Sequence, residues 1–173
     1  MMKKLLTIHL SPADGSLTDI YKSQIGGYPK FYKMDPLARL GFVASELLLD
    51  KEHELTGEER FREREDRAIV LVNRSASLAA DRKYEKTIVT GDNYFPSPAD
   101  FVYTLPNIVT GEIAIRNHYY GESNFKCVDN KEAVEQLVAL AFADPMTTSV
   151  LGGWLECKSA EDYEAELSIW TRQ

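Results

Sequence analysis

Cysteine is scarce in this chain: Cys127 and Cys157 are the two thiols among 173 residues. Their separation offers neither a metal-binding pair nor a framework of bridges, and so few thiols suit a reducing compartment. Both read as small buried hydrophobes. Long apolar runs are lacking too. Met1-Met2-Lys3-Lys4 leads only into Leu5 to Leu10, interrupted by Thr7 and His9, which is too short and too polar for an export signal or a membrane span. The expectation is a cytoplasmic protein with no membrane partner. Basic charge is in deficit, with 20 Lys and Arg against 27 Asp and Glu and a net charge of −7. Phosphate backbones are held by clustered Lys and Arg, so no nucleic-acid partner is expected. Neither a G-x-G-x-x-G nor a P-loop pattern occurs, which removes phosphate cradling by a glycine loop. No cofactor or metal site is expected.

What is present suffices for one domain, residues 1–173, with a real hydrophobic core. Lys3 to Leu10 reads as a strand ended by Ser11-Pro12-Ala13-Asp14-Gly15. The stretch onward through Gly26-Gly27-Tyr28-Pro29 has no clear period and reads as a loop. Asp35-Pro36 opens a helix, aspartate as cap and proline at the first helical position. Leu37, Leu40, Gly41, Ala44, Leu47 and Leu48 give it a buried stripe. Lys51 to Arg67 is almost wholly charged, the pattern of a solvated face or mobile loop. Ala68 to Val72 is a continuous β-branched run, expected to be covered on both faces as in a parallel sheet. Asn73 to Ser77 follows at its carboxyl end, where open α/β sheets place their ligand crevice, although its serines also suit capping of a helix over Leu78 to Thr87.

From Pro96 to Asn130 the chain predicts a helix start at Ser97-Pro98, a helix kinked at Pro106, a glycine turn and a strand. Phe101, Val102, Leu105, Ile108, Val109, Ile113 and Ala114 should share its buried face, with Gly111 letting another backbone come near. Arg116 is explained by the helix dipole. Ser123 to Val128 alternates as a strand with a wetter face or at an edge, which places Cys127 on a buried side. Asp129 and Asn130 should open the next helix, Asp129 with Glu132 forming a capping box. Ser149 to Cys157, with Gly152-Gly153 permitting close backbone approach, and Glu164 to Trp170 complete the strands. This order predicts an α/β fold: a mainly parallel five-stranded sheet flanked by helices, its last strand antiparallel.

The run SPADFVYTLPNIVTGEIAIRNHYYGES resembles the segment leading to the nucleophile in the N-terminal half of β-ketoacyl-acyl-carrier-protein synthases. KFYKMDPLARLGFVASELLL, AIVLVNRSASLAADRKY and SVLGGWLEC agree in the same order, so the likeness spans roughly Lys30 to Cys157. It implies one half of the duplicated thiolase-like fold and a role in fatty-acid or polyketide-type biosynthesis. The family's chemistry needs a cysteine thiolate at a helix N-terminus and backbone N–H groups for an oxyanion. The family's cysteine falls about nine residues after Gly121, where this sequence has Asn130. The family's two histidines come from its other half; His9, His53 and His118 match neither. The resemblance therefore implies a non-catalytic partner, with acyl transfer on Cys127, or with residues from a partner chain, as the alternative. Tyr103, Asn107, Gly111 and His118 are the candidate acyl-pocket residues. The implied partners are a second copy paired through Ser123 to Val128, another synthase-like chain, and an acyl carrier protein, which Arg60, Arg62, Arg64 and Arg67 could meet.

Overall fold

Residues 2–89 and 95–172 are described by the computed structural model. Its strands are β1 (Met2–Leu10), β2 (Arg67–Asn73), β3 (Ser123–Cys127), β4 (Ser149–Cys157) and β5 (Tyr163–Arg172). They form one sheet in the order β1-β5-β4-β2-β3. β2 pairs in parallel with β3 and β4, whereas β5 lies antiparallel to both β4 and β1. Four strands thus run one way and β5 opposes them, as the sequence predicts. All of β2 is buried, which its unbroken apolar run requires.

The segment between β1 and the first long helix is not a loop. It winds through a 3-10 turn (Pro12–Asp14), α1 (Leu17–Ile20), a π turn (Tyr21–Ile25) and a second 3-10 turn (Pro29–Lys33). Turns this short carry no readable period. Their order comes from the Ser16 side chain accepting the Asp19 N–H and from Tyr21 stacking on Phe31, ring centroids 4.0 Å apart.

α2 (Pro36–Thr56) begins where Asp35 Oδ1 accepts the Ala38 N–H at 2.9 Å, and it ends at Gly57 in the left-handed conformation. It crosses β1, β5 and β4, and α5 (Ile108–Asn117) packs beside it on β2 and β3. Gly41 is the close-approach glycine of this layer, because a Cβ there would strike the Val109 side chain. α6 (Ala133–Ala141) covers the opposite face over β2 and β4. Alternation along β2 divides the layers: Ile69 and Leu71 join the α2 core, while Ala68 and Val70 join Val138 and Ala141 of α6.

Three expectations are corrected here. α4 (Pro98–Val102) and α5 are separate helices, not one helix bent at Pro106, and α3 (Leu78–Val89) precedes them. Pro106 lies in the gap, and Phe101, Val102 and Leu105 are exposed, so the buried face is confined to residues such as Val109 and Ile113. Among the described residues nothing comes near Gly111; a Cβ there would meet none of them within 4 Å. The charged run from Lys51 to Arg67 is neither loop nor solvated face throughout, since α2 continues to Thr56 and Glu52, Arg64 and Arg67 are buried.

Candidate functional site

The carboxyl ends of the parallel strands meet at a cleft of about 310 Å³, lined by Arg74, Asn130, Lys131, Trp154, Glu156 and Lys158 among others. Asn73, fully buried at the end of β2, organises the loop above it. Its Oδ1 accepts the Ala76 N–H at 2.8 Å and its Nδ2 donates to the Ala76 carbonyl at 2.9 Å, holding Ala76 at positive φ. Glu156 on β4 accepts the Arg74 N–H at 2.9 Å and the Ser75 hydroxyl. Ser77 does not cap α3 through its side chain; its hydroxyl donates to the Asp81 carboxylate and the Thr104 carbonyl. This loop is tied to protein groups on each side.

Asn130 stands in the turn ahead of α6, and the helix begins later than its sequence suggests. Its first residue is Ala133, and Glu132 at the cap makes no side-chain cap bond, so the Asp129–Glu132 capping box does not form. Asn130 offers this cleft an amide, a hydrogen-bonding group with no nucleophilic thiolate or alkoxide. Cys127 is exposed at the end of β3, which corrects the expectation of a buried strand cysteine. Edge position is the reason: among the described residues β3 pairs on one side only, with β2. Cys157 is the buried thiol, and burial pushes it up to about 12.

The four pocket residues are divided. Tyr103 is half-buried between α4 and α5, its phenol raised to about 12 by burial, with the carboxylates of Glu112 and Asp35 adding to the shift. Asn107 caps α5 without a side-chain bond, and Gly111 lies one turn further on. His118 sits at the opposite end of the ten-residue α5, roughly 15 Å away along the axis, as its left-handed C-cap. None of the four lines the cleft. His9 and His53 are likewise elsewhere, on β1 and near the end of α2.

The opposite ends of the strands hold a network that sequence reasoning missed. Arg67 meets both Glu52 oxygens at 2.6 Å, the Ser149 hydroxyl at 3.1 Å and the Tyr119 hydroxyl at 3.2 Å. Arg64 grips Asp66 through Nε at 2.9 Å and Nη2 at 2.8 Å, and it reaches Glu58 at 2.7 Å. Arg60 engages Glu46 and Asp50, and Glu46 also takes Arg116 at 3.2 Å. Arg116 therefore does more than answer a helix dipole. Arg60, Arg64 and Arg67 are turned to internal carboxylates and are not a free basic patch for a carrier protein. The readable signal was an arginine set directly before an apolar strand, where only a buried partner could tolerate it.

No protein-family model matches the chain, and no curated protein matches it. Solved structures do. The ishigamide ketosynthase/chain length factor superposes with a TM-score of 0.71 at 18% identity, covering 96% of this chain and 54% of that one. The ketosynthase ApeO in complex with its chain length factor ApeC, from Xenorhabdus doucetiae, gives a TM-score of 0.66 at 13% identity, covering 99% and 79%. The chain thus spans about half the length of the first of these. At such identities the likeness is one of fold: the five-stranded α/β sheet and its helices are shared with part of these ketosynthase structures.

Proposed function

We propose that residues 1–173 form one domain equivalent to the N-terminal half of a ketosynthase, acting in the cytoplasm as a non-catalytic partner in acyl-carrier-protein-linked assembly of a fatty-acid or polyketide type. The observation that carries this reading is the free edge of β3 beside a cleft whose expected cysteine position is Asn130. Ile69 donates to the Glu122 carbonyl and Val128 to the Asn73 carbonyl, so even-numbered residues of this segment face β2. Ser123, Phe125 and Cys127 then direct their backbone groups outward, and an unpaired edge of this kind is a template for another strand. Exposed Ile115 on α5, which packs against β3, and exposed Tyr120 just ahead of the strand add apolar surface nearby.

The partner is a second synthase-like chain: another ketosynthase, as suggested by the neighbours that pair a ketosynthase with a chain length factor, or a second copy. Sedimentation velocity of the chain alone and mixed with a co-encoded ketosynthase tests this. Ser123→Pro, which removes an outward N–H, should abolish the complex and leave the circular-dichroism melt of the lone chain unchanged. A chain that stays monomeric in both settings overturns the reading.

The exposure of Cys127 favours one second reading, acyl transfer from a thioester to its thiol. Intact mass spectrometry after incubation with acyl thioesters tests it; an adduct lost in Cys127→Ala and retained in Cys157→Ala would establish it.

A further inference from the structure

We draw no further inference here: the strongest candidate, the patch of exposed apolar side chains at the junction of α3 and α4 that includes Ile88, Phe101, Val102 and Leu105, is an unpartnered face, and nothing in the structure shows what covers it.

Discussion

Arg67 and Glu52 form a two-pronged ion pair sealed between the start of β2 and the end of α2, with side chains 2% and 6% exposed. Burial by itself would depress the guanidinium, and Glu52 and Tyr119 together more than offset that, raising it overall. Each partner makes the other tolerable. Glu52→Ala, which leaves the arginine buried and unpaired, is expected to cost about 3–5 kcal/mol in urea unfolding. The double variant Glu52→Leu with Arg67→Met should recover most of it, since a packed apolar pair replaces a charged one. A single-variant loss as small as that of an exposed pair would contradict the sealed geometry.

Asp66 sets an acid limb. Its two bonds from Arg64, with the Thr148 hydroxyl added, hold its carboxyl well below the ordinary value of 3.8. A depressed folded-state value gives stability that is present above the unfolded value and lost as pH falls through it. Stability should therefore decline as pH drops toward and below about 3.8, and Asp66→Asn should flatten that decline. Unfolding free energies measured from neutral pH downward check both slopes.

The two thiols should react on different clocks. Native protein treated with iodoacetamide is expected to take one adduct, at exposed Cys127, while Cys157 reacts only after unfolding because it is buried and its thiol is pushed up to about 12. Mass spectrometry in buffer and in denaturant reads the count, and Cys127→Ser should show no adduct in buffer.

Glycines supply opposite signs. Gly111→Ala places a methyl in open space within a helix and should stabilise by about 0.5–1 kcal/mol. Gly41→Ala drives a methyl into Val109 and should destabilise by about 1–3 kcal/mol. Thermal melts of the two variants should shift in opposite directions.

These contrasts mark what the sequence could convey. β2 was legible because its apolar run is continuous, and α2 because Asp35-Pro36 announces it. The break between α4 and α5 was not, since Phe101 and Leu105 keep helical spacing although neither is buried. The late start of α6 was hidden by a local pattern, Asp129 with Glu132, that tertiary packing overrides. The edge position of β3 was legible in the alternation of Ser123 to Val128. The Arg67 network depends on residues far apart in the chain, which no local pattern joins.

The placement of β1 has a further effect during synthesis. Among the described residues its one neighbour in the sheet is β5, and Thr7 bonds Ser168, 161 positions later, at 2.8 Å. At about 5–20 residues per second, the ribosome needs roughly 8–30 seconds to make that partner. The strand made first is thus paired last, and through that interval the nascent chain carries Leu6, Ile8 and Leu10 without the neighbour that will hold them.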